Sequence, residues 1–279
     1  MTPSEEPIEP VARRVSIVIV TIDRADKLRA CLTALGIDHQ ILVVDNGSTD
    51  HSSELAEEFP GARFIRLPKN FGLTKALNIG IRAADGPNIL LLHDDAQMSG
   101  DAVDKLADFL EERQDVGAVA PLLLDAAGSR APQVRPLPTP AAPDPPLLPA
   151  TGDYEIAAEC VSGAAIMFRA FFLRALRQID EHYGNYGSII ELCSQVKRAN
   201  RKLIVLTQVT AIHEALESPV KKSVLDGDRT VGTAVFLGKH HGFGSGLAYR
   251  AKSALAGAAT LRLKVVAGAV ADAKIDGTR

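Results

Sequence analysis

The residues best suited to chemistry are His93, Asp94 and Asp95, which close the apolar run in ILLLHDDAQM at 89–98. The four residues before them, Ile89, Leu90, Leu91 and Leu92, read as a strand buried on both faces. Adjacent carboxylates at the end of such a strand repel one another and lose hydration unless a cation or a hydrogen-bond network holds them. In open α/β sheets ligands bind just outside these strand ends. Hard oxygen donors there suit Mg²⁺ or Mn²⁺, which keep several waters and share themselves with substrate phosphates; a solvated acidic turn is the alternative. Asp45 repeats the pattern. It ends QILVVD at 40–45 and precedes Asn46-Gly47-Ser48, where a carboxylate either accepts from a base or ribose or simply forms the turn. His213 ends a further apolar run, as a structural histidine or as an imidazole ligand added to those acids.

Such residues need strands whose carboxyl ends converge. Runs at 15–21 (VSIVIVT), 40–45, 62–67, 89–92 and 116–124 read as strands. Between them lie a helix that Asp23 can cap, with Leu28, Cys31, Leu32 and Leu35 at helical spacing, a short helix ending near 59, and helices over 73–84 and 101–113. On 73–84 one face carries Leu73, Ala76, Leu77, Gly80, Ile81 and Ala84, and its small residues allow close approach to a sheet. This alternation argues an α/β fold with a mainly parallel sheet flanked by helices. The rhythm breaks at Asp125. Residues 125–152 hold eight prolines, and a segment of that kind is expected to be a mobile loop serving as lid or acceptor wall. Beyond it, 159–168 reads as a strand and 169–177 as a short helix. Residues 188–200 read as a helix with Ile189, Leu192, Cys193 and Val196 on its apolar face, followed by short strands at 203–206 and 209–212. The chain therefore divides into a flexible lead (1–14), an α/β domain (15–222, with 125–153 as its mobile loop) and a helical C-terminal extension (223–279).

Composition narrows the function classes. With 46% hydrophobic and 23% charged residues, the 279-residue chain suits a soluble globular protein. A net charge of −3 supplies no basic excess for phosphates, so nucleic acid is not an expected partner. Cys31, Cys160 and Cys193 lack metal-ligand spacing and read as reduced core residues. No secretion signal or bilayer-length apolar run occurs, and the expected location is cytoplasmic. Thr21-Ile22-Asp23-Arg24 follows the first strand, where a dinucleotide fold would carry GxGxxG and a P-loop enzyme GxxxxGK[ST]. Nor is it the Gly-rich loop of a sugar-nucleotide pyrophosphorylase.

Seven motifs in order resemble family 2 glycosyltransferases with the GT-A (nucleotide-diphospho-sugar transferase) fold: VSIVIVTIDR (15–24), ILVVDNGSTD (41–50), NFGLTKALNIGI (70–81), ILLLHDDAQM (89–98), SGAAIMFRAFFLRAL (162–176), IDEHYGNYGSIIELC (179–193) and VTAIHE (209–214). The nearest type is the bacterial rhamnosyl- and galactofuranosyl-transferase group. The resemblance implies an inverting, metal-dependent transferase that moves a sugar from a UDP- or dTDP-sugar donor to a hydroxyl of a glycan, lipid-linked or small-molecule acceptor, with Mg²⁺ or Mn²⁺ as cofactor. It implies that Thr21 and Arg24 line the nucleotide pocket, and that Asp45, with Asn46 beside it, contacts base or ribose. Asn70, Gly72, Lys75 and Asn78 would belong to a segment approaching nucleotide and sugar. Asp95 would be the metal carboxylate with Asp94 beside it, and His213 the histidine reaching metal or diphosphate. Two departures stand out. His93 replaces the first acid of a DDD form, and 186–193 reads YGSIIELC where relatives commonly have YGEDVDLC. The usual base position is then Ile189, which cannot accept a proton. Either Glu191 serves as base, off the apolar stripe and facing the acceptor with a raised pKa, or the acceptor needs none, or the chain is a catalytically silent nucleotide-sugar-binding relative.

Over 247–271, Leu255, Ala258, Leu261, Val265 and Ala269 fall near helical spacing with Arg250, Lys252, Arg262 and Lys264 among them. A helix of this kind packs on the domain, packs on a second subunit as a homodimer, or lies peripherally on a membrane.

Overall fold

The computed structural model describes residues 14–36, 38–176, 179–213 and 222–271. All but Arg14 of the expected N-terminal lead therefore lies outside the described residues. The first half alternates as expected: β1 (Val15–Thr21), α1 (Ala25–Leu35), β2 (Gln40–Asp45), the short α2 (Leu55–Glu58), β3 (Ala62–Arg66), α3 (Leu73–Ala83) and β4 (Asn88–His93). After the acids come β5 (Ala96–Gln97), α4 (Gly100–Glu112) and β6 (Val116–Leu124). The Pro-rich region carries β7 (Pro132–Arg135) and β8 (Leu148–Pro149), followed by β9 (Glu155–Ala158), β10 (Cys160–Val161), β11 (Ala165–Arg169) and α5 (Ala170–Ala175). α6 (Gly184–Arg198), β12 (Lys202–His213), α7 (Lys222–His241), α8 (Phe243–Ala259) and α9 (Leu263–Ala271) complete the described chain.

The main sheet runs β3-β2-β1-β4-β11-β6-β12-β5, with β9 also paired to β12. It is parallel from β3 to β4; β11 then enters antiparallel between β4 and β6, so the sheet is mixed. The two short strands expected at 203–206 and 209–212 are one strand, β12, with a register shift between Leu206 and Thr210. The parallel register sets Thr21 beside Asp45 and Val20 beside His93, so three strands end in one row.

The 125–153 segment is packed, contrary to the expected mobile loop. β7 pairs with both β8 and β10, and the buried Gln133 amide donates to Pro121 O and accepts from Leu123 N at 3.1 Å. Arg130 Nη1 donates to the carbonyls of Ala150 and Gly152 at 2.8 and 2.9 Å. Prolines lack a donor, and here side-chain amides and guanidinium groups supply the missing hydrogen bonds.

Helix α3 lies close to the sheet at Gly80, where an added Cβ would overlap the Val18 side chain of β1. Alanine gains about 1 kcal/mol in helix propensity at such a position, whereas overpacking a closed core costs about 1–3 kcal/mol. Gly80→Ala is therefore expected to lower stability by up to about 2 kcal/mol, read as a lower urea midpoint at unchanged slope; a midpoint equal to or above the parent's would show that the contact yields.

Candidate active site

At the carboxyl end of β4 the two acids share Arg24 and differ in their other partners. Asp94 is buried, accepts from Thr21 Oγ1 at 2.8 Å and lies 3.4 Å from Arg24 Nη1. Burial pushes its carboxyl up to about 6, against the opposing effect of Thr21 and Arg24. Asp95 takes the shorter bond from the same guanidinium, Arg24 Nη1 to Oδ2 at 2.7 Å. Its other oxygen, Oδ1, is buried and has no hydrogen-bond partner among the described residues. Two imidazoles face that oxygen, His213 Nε2 at 3.2 Å and His93 Nδ1 at 3.8 Å. Burial alone would raise the Asp95 pKa, but the two histidines and Arg24 hold it well below the usual carboxylate range.

His93, Asp95 and His213 each offer one ligand atom, and these atoms lie within 4.8 Å of one another. A buried acceptor oxygen that makes no hydrogen bond among the described residues and is faced by two imidazole nitrogens is a place that a cation would complete. The donor set of two imidazoles and one carboxylate fits a divalent metal. His93, which departs from the all-acid form, thus joins the expected pair Asp95 and His213. The sequence signal was its place two residues before Asp95, and only β12 shows that the two histidine rings meet, 5.7 Å apart.

Two strands away, Asp45 Oδ1 accepts from Ser48 N at 2.8 Å, while Oδ2 is buried without a hydrogen-bond partner among the described residues and 3.8 Å from Arg66 Nε. The loops after β1 and β2 clasp each other: Asp23, at φ 52°, accepts from Thr49 N at 2.7 Å, and Asp50 accepts from Ala25 N at 3.0 Å. Asn46 joins this end to the next segment, accepting from Phe71 N at 2.9 Å and donating to Asn70 Oδ1 at 3.0 Å. Asn70 Oδ1 also accepts from Gly72 N at 2.8 Å, and the Lys75 ammonium lies 5.0 Å from the centre of the Phe71 ring. Gly47 is required here, because at φ 83° its backbone lies against that of Lys69 and Asn70, where a Cβ would not fit. Asn78 has a different employment. Its buried amide donates to Ile179 O at 2.9 Å and accepts from Ile179 N at 2.7 Å, which ties α3 to the chain entering α6.

The expectation for Glu191 fails on geometry. Glu191 is buried, and its carboxylate accepts from Gln195 Nε2 at 2.5 Å, Lys239 Nζ at 3.0 Å and His240 Nε2 at 2.6 Å. The last two residues belong to α7, so Glu191 faces the C-terminal extension and not the strand ends. Its pKa is lowered, not raised: burial works upward, and the bonds led by that from His240 outweigh it. Ile189 is the residue of α6 that faces the site, where it and His93 both come close to Gly163. Two residues are about 200° of helix rotation, which sends Glu191 to the opposite side. Ser188 is committed as well, to Thr74 Oγ1 at 2.6 Å and to Gly184 O at 2.5 Å.

The sequence model described as Glycosyl transferase family 2 matches residues 16–172, more than half of the 279-residue chain. An N-acetylglucosaminyl-diphospho-decaprenol L-rhamnosyltransferase of Mycobacterium tuberculosis is 27% identical over 139 residues, 44% of this chain and 45% of that protein. The chain thus spans less than half the length of that relative. Among solved structures, S. aureus TarS in complex with UDP-GlcNAc superposes with a TM-score of 0.61 at 15% identity, over 81% of this chain and 66% of that one. A mannosyltransferase from Pyrobaculum calidifontis in complex with GDP-Man and Mn²⁺ gives 0.60 at 16%, over 94% and 88%. At such identities the likeness speaks to the fold alone, which is GT-A with added C-terminal helices.

With Glu191 inside a network of bonds, Glu191→Gln is expected to lower folding stability by about 1.5–3 kcal/mol at neutral pH. A depressed carboxyl stabilises the fold above its ordinary range, and the contribution is lost as pH falls through the lowered value. The gap between parent and variant should therefore close in acid, as followed by urea denaturation across pH; equal stability at neutral pH would return Glu191 to the candidate bases.

Proposed function

The chain belongs to glycosyl transferase family 2, and from that premise we propose that it is an inverting, metal-dependent transferase moving a sugar from a nucleoside-diphosphate donor to an acceptor hydroxyl. The observation that carries this reading is the buried Asp95 Oδ1, which makes no hydrogen bond among the described residues and lies 3.2 and 3.8 Å from two imidazole nitrogens, in the same row of strand ends as Asp45 Oδ2, which also makes none. His93, Asp95 and His213 would hold Mg²⁺ or Mn²⁺, and the ion when bound supplies charge neutralisation for the departing diphosphate. Asp45 Oδ2 offers an acceptor to a ribose hydroxyl or to the N3–H of a pyrimidine, in keeping with a UDP- or dTDP-sugar. Thr21 bonds Asp94 and Arg24 bridges both acids, which leaves Asp95 Oδ1 to the two histidines. Asn46, Asn70, Gly72 and Lys75 would border the donor. The acceptor hydroxyl belongs to a glycan, a lipid-linked sugar or a small molecule, the lipid-linked class being that named for the M. tuberculosis relative.

A second reading rests on α6. Ile189 cannot take a proton, Ser188 is engaged by Thr74, and Glu191 is turned toward α7. A silent nucleotide-sugar-binding relative would look the same. Transfer and donor-hydrolysis assays separate the two: product from any donor supports the enzyme, and metal-dependent donor binding with neither product supports the silent relative.

Binding is tested first. In a thermal-shift screen with Mn²⁺, a UDP- or dTDP-sugar should raise the melting temperature, because it binds only the folded state. By calorimetry, Asp95→Asn should reduce metal-dependent affinity for the nucleoside diphosphate by at least about 100-fold, more than is lost with an outer-sphere partner. Unchanged metal-dependent affinity would overturn the metal assignment.

Asp45→Ala should weaken the nucleoside diphosphate about 10- to 100-fold even without metal, the cost of a lost hydrogen bond to a charged group. Equal affinity in variant and parent would leave Asp45 as a turn residue held by Ser48.

A further inference from the structure

Helix α8 is built inside out. Its inward side is made close-fitting by glycine: Gly246 lies against Ala234 and Gly238 of α7, and Gly257 lies against Val265 and Val266 of α9. Its outward side is apolar. Phe243, Leu247 and Leu255 are 81%, 55% and 74% exposed, and the exposed Ala251 fills the missing place in their four-residue spacing. Residues four apart share one side of a helix, so these form a continuous stripe. The turn into α9 extends it with Leu261 and Leu263, 84% and 73% exposed. A surface helix ordinarily turns such a stripe to the core, and a contiguous exposed apolar patch marks an interaction site.

Charge identifies the occupant. From Arg229 to Ala271 the sequence has no Asp or Glu and six cationic residues, in a chain whose overall net charge is −3. Arg229 and Lys239 are turned to other elements, pairing with Asp144 and with Glu191. Arg262, in the turn, pairs with Asp226 of α7, whereas Lys252, which follows Ala251, and Lys264, which follows Leu263, are exposed beside the apolar residues. A second copy of the chain meeting this face across a two-fold axis would bring Lys252 and Lys264 against their own counterparts, and the nearby Asp226 is already paired with Arg262. Residues 272–279, DAKIDGTR, hold one large apolar side chain, Ile275, against five in the patch. Lys side chains with long stems beside exposed Phe and Leu are suited to an interface where apolar groups enter acyl chains and ammonium groups meet phosphates. Among the described residues no helix is long and apolar enough to cross a membrane, which leaves a helix lying in the surface plane.

We propose that the outward face of α8 and its turn into α9, centred on Phe243, Leu247, Leu255, Leu261 and Leu263, is a docking surface for an anionic phospholipid bilayer. Vesicle binding is measured without donor or acceptor, so its failure is distinguishable from failure of the transferase reading. α7 would join this surface to the rest of the protein, since it packs on α8 and also holds Glu191 of α6.

The test is flotation of the full chain with vesicles of phosphatidylcholine alone or mixed with phosphatidylglycerol, at low and high salt. The expected result is recovery with the anionic vesicles at low salt, loss at high salt as screening removes the attraction, and little recovery with neutral vesicles. Phe243→Asp and Leu255→Asp should each lower recovery on anionic vesicles at least about tenfold, because a carboxylate is costly among acyl chains and is repelled by the lipid phosphates. Their melting temperatures should match the parent's, since both side chains are exposed. Lys252→Glu with Lys264→Glu should act in the same direction while leaving the apolar stripe whole. Absence of flotation with anionic vesicles, or flotation indifferent to these substitutions, overturns the proposal. So does light scattering that shows a dimer in the parent and a monomer in Leu255→Asp, which would assign the face to a second copy of the chain.

Discussion

Two adjacent carboxylates at the end of a buried strand must each be compensated, and the candidate site follows from how this chain does it. Asp94 and Asp95 cannot both be charged and bare in the interior, since desolvation and mutual repulsion act together. Thr21, at the end of the strand next to β4, and Arg24, just before the helix that follows it, compensate Asp94 and one side of Asp95. What remains is a single oxygen directed at His93 and His213. Parallel pairing of β1 with β4 makes this possible, because it brings the end of one strand to the end of the other. β12 delivers His213 from the far side through its short antiparallel pairing with β5, in which His213 is opposite Ala96.

A second constraint comes from the C-terminal helices. α7 packs on α6, and glycines permit the close crossing: a Cβ on Gly187 would meet the backbone of Gly232, and one on Gly232 would meet that of Gly187. α6 is therefore covered by α7 on a second side as well. Its buried set includes Ser188, Glu191 and Ser194 beside Ile190, Leu192 and Cys193. Polar residues enclosed in this way need partners, and α7 supplies Lys239 and His240 to Glu191 and Asp228 to the amides of Asn185 and Tyr186. The same extension reaches the Pro-rich region. The Tyr186 ring lies between the guanidinium groups of Arg135 and Arg229, 4.8 and 4.6 Å from its centre, and its hydroxyl donates to Asp144. Tyr186 thus joins three separate parts of the chain, α6, the Pro-rich region and α7.

Local sequence determined most of the scaffold. The β-branched runs, the helical spacing of 73–84 and the residues at the ends of apolar strands specified the α/β class and Asp45, Asp95 and His213 as site candidates, while the resemblance to family 2 glycosyltransferases added the GT-A fold, Thr21 and Arg24. These signals are legible because period and strand-end chemistry are properties of a few consecutive residues. Contacts between distant segments are not. The packing of 125–153 depended on Gln133 and Arg130 finding carbonyls that proline-rich composition does not reveal. The amide of Asn78 was spent on Ile179, across 101 residues of sequence. His93 became a ligand candidate only when β12 set His213 beside it. The spacing of its neighbours places Glu191 on the open side of a helix with a single buried face. Only tertiary structure decides how many faces of a helix are covered, because burial is a sum over everything packed around it, and α7 covered the second.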